Sequence, residues 1–212
     1  MKRFDVEFLK SEYGVDPYFD FAHGVLFNKL GIIDSNELEE VERDLAVIRD
    51  ANLKVELLPG QYDLEHLCEF HRVIFEDIYQ WAGNIRTVDI SRDSTRFCLS
   101  QFIESEADSI FRDIQNVTSL PRDLGETAEI IATNLGEVNA LHPFREGNGR
   151  AQRAFFWQFA RERGWLIDWH NANAEQNARV SAMAMTKNYE PMIQMIEGLL
   201  RPTMNREEYL NF

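Results

Sequence analysis

At 212 residues the chain is long enough for one compact domain with a substantial core, and 44% hydrophobic with 12% aromatic content excludes a disordered protein. A formal charge of −14 opposes non-specific contact with nucleic acid or anionic lipid, yet a few arginines can still bind a phosphate ligand within one cleft. Cys68 and Cys98 stand far apart without metal-ligand spacing, Met1-Lys2-Arg3-Phe4-Asp5-Val6-Glu7 lacks an apolar leader and no stretch has the length of a membrane span, so the expectation is a soluble cytoplasmic protein.

In chain order, Asp16-Pro17 predicts an N-cap with Pro at the first helical position, opening a helix to about Leu30 that Gly31 stops. Ser35 with Leu38, Val41, Leu45, Ala46 and Ile48 predicts a second helix. Asp63 with Leu64, Leu67, Phe70, Val73, Ile74 and Ile78 predicts a third, ending near Gly83. From Arg86 to Cys98 the pattern changes. Thr87, Val88 and Ile90 favour an extended chain, Arg92-Asp93-Ser94 a turn, and Thr95-Arg96-Phe97-Cys98 a return, which predicts a short β-hairpin. Helices resume over about 101–117 and 123–141, and Pro143 breaks the periodicity. A further helix starts near Asn148 with the inward stripe Ala151, Ala154, Phe155 and Phe159 and ends at Gly164, and two more cover about 174–186 and 190–200. One mostly α domain is expected, with residues 1–62 as a helical extension, 63–200 as the main domain and 201–212 as a tail.

The chemistry concentrates in Leu141-His142-Pro143-Phe144-Arg145-Glu146-Gly147-Asn148-Gly149-Arg150-Ala151-Gln152-Arg153. Gly147 and Gly149 flank Asn148 just before a predicted helix, where free N–H groups and the positive end of the helix dipole form an anion site. Arg150 and Arg153, three apart, lie on one side of the first turn and suit a polyphosphate. Glu146 is a candidate ligand for Mg²⁺ bridging phosphate oxygens. His142 is a candidate base near neutral pH. Phe144 reads as the anchor of the loop. His23, His66, His71 and His170 lack such surroundings and read as structural or surface residues, Glu37-Leu38-Glu39-Glu40 as a solvated helix face, and Arg86 as half of a plain salt bridge.

This segment resembles the signature of Fic proteins, HxFx(D/E)GNGRxxR, with all eight fixed positions present between His142 and Arg153. The resemblance implies a mostly α Fic fold with a β-hairpin flap beside the loop, and an enzyme that transfers AMP from ATP to a protein hydroxyl, releasing pyrophosphate. It implies His142 as the base, Glu146 as the Mg²⁺ ligand, and the backbone of Gly147–Gly149 with the Asn148 side chain around the α- and β-phosphates. Arg150 and Arg153 would take the distal phosphates. The flap, with Ser91, Arg92, Thr95 and Phe97, would dock the target by β-augmentation, and Asn177 would help frame the adenine.

Many Fic proteins carry an inhibitory helix with the pattern (S/T)xxxE(G/N), whose Glu pairs with the second motif arginine. Residues 35–40, 186–191 and 203–208 each lack the final Gly or Asn. The resemblance therefore implies the class in which a separate small antitoxin supplies that Glu, here to Arg153, and relatives of that class suggest a topoisomerase ATPase subunit as target. Fic-like kinases replace the glycines at the positions of Gly147 and Gly149, both intact here, so AMP transfer is expected over transfer of another phosphate-containing group or a catalytically silent regulatory module.

Overall fold

The computed structural model describes residues 16–92 and 95–203. Asp93 and Ser94 at the expected flap turn, and residues 204–212 of the expected tail with most of the 203–208 pattern, lie outside the described residues. Among the described residues there are seven α-helices and three two-stranded antiparallel sheets.

The first expected helix does not form. Residues Phe19–Asp20 (β1) pair with Val25–Leu26 (β2) around Gly24, whose φ of 71° a glycine adopts without strain. Asp16 caps a turn instead of a helix. One carboxylate oxygen accepts from Tyr18 N at 2.9 Å, and the other is committed to Arg145 at 3.1 Å. Asp20 likewise accepts from Ala22 N at 2.9 Å. These local side-chain acceptors compete with the helical ladder, and Pro17 with Gly24 favours the turn.

Helix α1 runs over Ser35–Val55, with Asp34 accepting from the first-turn N–H groups of Asn36 and Glu37. Glu37, Glu39 and Glu40 are exposed as expected, while Leu38, Glu42, Ala46 and Leu53 face inward. Helix α2 covers Leu64–Phe75, capped by Asp63, and stops well before Gly83. Beyond it the chain folds into successive tight turns that bury Ile78, Tyr79 and Trp81. The hairpin forms from β3 (Ser91–Arg92) and β4 (Thr95–Arg96), with Ser91 opposite Arg96 and Arg92 opposite Thr95.

After a 3₁₀ turn at Ser100–Phe102 come α3 (Ile103–Asn116), α4 (Leu124–Leu141) and α5 (Asn148–Glu162). Helix α4 is the central element, buried along its length through Ala128, Ile131, Ala132, Leu135, Val138 and Leu141 and packed on α3, α5, α6 and the last helix. Ala151, Ala154, Phe155 and Phe159 of α5 are all buried, as the spacing predicts, and Phe156 joins them. Past Gly164 (φ 89°), β5 (Trp165–Ile167) returns along α5. Helices α6 (Ala174–Ala184) and α7 (Glu190–Leu199) close the bundle, and β6 (Leu200–Pro202) pairs back with β5. The segment expected as a tail thus begins inside a strand, because β5 leaves a ladder edge that Leu200–Pro202 covers. No helix among the described residues is long and apolar enough to cross a membrane.

Phe155 sits at the hub of edge-on aromatic contacts with Tyr62, Phe70, Phe111 and Phe156 at 5.3–6.1 Å. Phe155→Ala is expected to destabilise the domain by about 3–5 kcal/mol in urea unfolding, since the site cannot collapse around the lost ring.

Candidate active site

Helix α4 ends at His142, held in the left-handed region at φ 46° and ψ 62°. That conformation swings the chain sharply toward α5 and turns the imidazole back over the last turn of α4. His142 Nδ1 lies 3.1 Å from the carbonyl of Asn139. A carbonyl only accepts, so Nδ1 carries the proton and Nε2 keeps its lone pair. The ring stacks on Phe97 of the flap at 3.7 Å between centroids. Burial pushes the His142 pKa down to about 3, with the Asn139 carbonyl opposing and the charges of Arg86 and Arg92 adding to the fall. The neutral imidazole is therefore the form present near pH 7.

The loop from His142 to Gly147 is packed into the core. Phe144 is fully buried and stacks on His71 at 3.9 Å, as befits an anchor. Gly147 is the N-cap of α5 at φ 80°, and a Cβ there would collide with the Phe75 ring. No side chain caps α5, and the N–H groups of Asn148 and Gly149 have no partner among the described residues. The N–H of Gly147 is taken by Glu146 Oε1 at 2.9 Å. The free donors of the anion site are thus those of Asn148 and Gly149, with the helix dipole behind them.

The Asn148 side chain is also tied into the loop. Its Oδ1 accepts from Phe144 N at 2.9 Å and its Nδ2 donates one N–H to Phe144 O at 2.7 Å, which orients the amide and leaves the second N–H of Nδ2 for a ligand. Gly149 is exposed, and the space beside it is occupied by the Arg153 guanidinium. Arg150 lies 4.7 Å over the Phe75 ring and pairs with Glu42 and, at 3.6 Å, with Glu146. Burial works against the Arg150 charge, but the two carboxylates outweigh it and raise its pKa. Arg153 has no ion pair within 4.0 Å among the described residues, and burial lowers its pKa.

Three residues that the sequence does not flag hold this arrangement. Glu42, on α1, is buried and gives one oxygen to Arg150 and the other to the Tyr79 hydroxyl. Burial pushes its pKa up, and Arg150 opposes that. It falls on the stripe Leu38, Glu42, Ala46, and a carboxylate on an apolar face was the available signal. His71 shares the apolar face of α2 with Leu67, Ile74 and Phe75. Its Nδ1 accepts from Gly83 N at 2.8 Å, leaving Nε2–H to donate to the Glu146 carbonyl at 2.9 Å. Arg86 is 2% exposed and makes no salt bridge within 4.0 Å among the described residues, in place of the expected surface pair. It reaches carbonyls at the end of α4 and on both sides of the flap, because the buried loop leaves those oxygens without water.

Glu146 is partly exposed, and its second carboxylate oxygen has no hydrogen-bond partner among the described residues. No group of three or more His, Cys, Asp or Glu among those residues could hold a metal alone. One carboxylate beside an anion site fits magnesium, which fills its other positions with phosphate oxygens and water. A cleft of about 230 Å³ opens between the flap (Arg92, Thr95, Phe97), Asn139 of α4, and α6. Ser91 is buried at the flap's base. Ala178 and Ser181 of α6 line the cleft, and Asn177, one residue earlier, does not.

Burial also pushes His71 down to about 3 from an ordinary 6.5. Between those values the unfolded chain binds the proton that the folded state refuses, so stability is full above about pH 6.5 and declines on acidification through the window. Melts between pH 8 and 5 should show this slope, and His71→Gln should make it shallower. Gly147→Ala meets both the positive φ and the Phe75 ring, and is expected to cost about 1–3 kcal/mol in urea unfolding.

Residues 61–160 match the Fic/DOC family. The chain is 40% identical over 201 residues to protein adenylyltransferase VbhT of Bartonella schoenbuchensis, covering 93% of this chain and 42% of that protein. It therefore spans less than half the length of that relative. It is 37% identical over 163 residues to Probable protein adenylyltransferase Fic of Salmonella typhimurium, covering 76% of this chain and 80% of that one. The fold is also similar to that of BepC from Bartonella tribocorum with bound AMPPNP, at TM-score 0.81 and 24% identity over 88% of this chain and 97% of that one. The N-terminal Fic domain of a Bep effector from Bartonella quintana with bound ADP superposes with TM-score 0.81 and 25% identity, over 91% and 97%. With such identity to a relative four-fifths covered by this chain, and the signature intact from His142 to Arg153, the chain belongs to the Fic/DOC family.

Proposed function

We propose that this protein transfers AMP from ATP to a hydroxyl side chain (Tyr, Thr or Ser) of another protein and releases pyrophosphate. The observation that carries the reading is the neutral His142, whose Nδ1–H is committed to Asn139, leaving Nε2 without a partner among the described residues, like the N–H groups of Asn148 and Gly149 that follow in the loop. In this reading Nε2 takes the proton of the attacking hydroxyl as the oxygen bonds to the α-phosphorus. The bond from that phosphorus to the α–β bridging oxygen breaks, and pyrophosphate leaves with the electron pair. The N–H groups of Asn148 and Gly149 stabilise charge on the phosphates, and Arg150 and Arg153 hold their distal end. Glu146 would hold magnesium, which when bound neutralises phosphate charge. The names of the relatives, protein adenylyltransferases, support the same chemistry.

In the same proposal the adenine would occupy the cleft between flap and α6, and the target would add a strand to the flap. We read residues 63–200 as the catalytic domain and 1–62 as an extension that reaches the site through Glu42. The chain is further read as the toxin of a toxin–antitoxin pair, with a topoisomerase ATPase subunit as a candidate target. Arg150 is already paired, whereas Arg153 has no ion pair among the described residues, which supports a carboxylate from a small antitoxin meeting it. Two free thiols suit a reducing cytoplasm.

Incubating a cell lysate with α-³²P-ATP and the purified chain should label a protein band. His142→Ala should lower that labelling by at least about 100-fold, as loss of a general base does. Equal labelling by the variant would refute the base, and label transferred from γ-³²P-ATP but not from α-³²P-ATP would refute AMP transfer. The acid limb of the transfer rate should lie below pH 6, because the folded environment holds the His142 pKa under its ordinary value.

A further inference from the structure

We propose that Arg86 is a positioning residue, one buried guanidinium that locks the catalytic histidine's backbone and both ends of the flap into a single rigid piece. Its Nε donates to the His142 carbonyl at 2.8 Å and its Nη1 to Val88 O at 2.7 Å. Nη2 donates to Cys98 O and, at 3.4 Å, to Leu141 O. Its backbone N–H adds a bond to Pro143 O at 2.8 Å. Val88 lies three residues before β3 and Cys98 two residues after β4, so the guanidinium bridges the two ends of the hairpin. No carboxylate lies within 4.0 Å of it among the described residues. A buried cation answered by neutral carbonyls is costly unless its geometry is met, and here it completes the C-terminus of α4, where the helix dipole favours positive charge.

The consequence is a two-sided grip on His142. Arg86 fixes its carbonyl, and Phe97, between β4 and the Cys98 carbonyl that Arg86 also holds, fixes its ring by stacking at 3.7 Å. Lysine cannot replace this, because an ammonium lacks the planar fork that serves carbonyls in diverging directions. That the grip serves catalysis rests on His142 being the base, as proposed above, whereas the grip itself is a property of the fold.

The test uses the full chain with Arg86→Lys and Arg86→Met, the former in case the latter does not fold. Amide exchange read by mass spectrometry should accelerate by about tenfold or more in peptides covering 87–99 and 139–147, with α2 and α7 keeping their protection. α-³²P labelling of a lysate should fall by at least about tenfold more than the affinity for magnesium ATP, since small misplacements of a base are costly. Unchanged exchange in the two segments, loosening spread over α2 and α7, or equal losses in labelling and ATP affinity would each overturn the proposal. Exchange needs no target. A wild-type chain that labels nothing would count against AMP transfer, and the exchange rates would still decide the grip.

Discussion

Everything at this site depends on a single requirement, that a stretch of non-helical chain buried in a helical core must find partners for its backbone groups. Between α4 and α5 the chain crosses the interior, where carbonyl oxygens have little water to turn to. Side chains and one backbone N–H supply what a helical ladder would have supplied. Arg86 takes Leu141 and His142, its backbone takes Pro143, Asn148 takes both groups of Phe144, and His71 takes Glu146. With these groups satisfied inward, the N–H groups of Asn148 and Gly149 are left without a partner among the described residues, as an anion site at a helix N-terminus requires.

The arginines of the loop are matched unequally, and this orders the electrostatics. Arg145 is buried against Asp16, and Arg150 is held by Glu42, both acids coming from before residue 63. Breaking either buried pair by removing one partner would leave an uncompensated charge at a cost of about 3–5 kcal/mol. The N-terminal residues are therefore part of the site's construction. The formal charge of −14 does not describe this loop, where Asp16 and Glu42 are paired with Arg145 and Arg150 and Arg153 has no ion pair within 4.0 Å among the described residues.

The fold class and the candidate loop were legible because their signals are local. The buried stripe Ala151, Ala154, Phe155, Phe159 follows from helical spacing, and Asp63 and Asp123 cap α2 and α4 where an acid precedes an apolar run. The hairpin at Ser91–Arg96 followed from β-branched residues around a turn. The segment after Asp16 misled because an N-cap and a turn use the same side-chain acceptor, and the partner that settles the matter, Arg145, lies 129 residues away. The bonds of Asn148 to Phe144 were hidden for a related reason, since an amide can serve a ligand and its own loop, and only the position of Phe144 shows that it serves the loop.

Sequence alone determined the helical architecture, the loop motif, and the kinds of group available for a polyphosphate, because those rest on residue type and spacing within a few turns. The tertiary structure decided which groups are free. It assigned Glu42 to Arg150, His71 to Glu146, and Arg86 to the carbonyls that frame His142. Those partners come from distant parts of the chain, and no local pattern encodes a hydrogen bond whose two ends meet only when the core has closed.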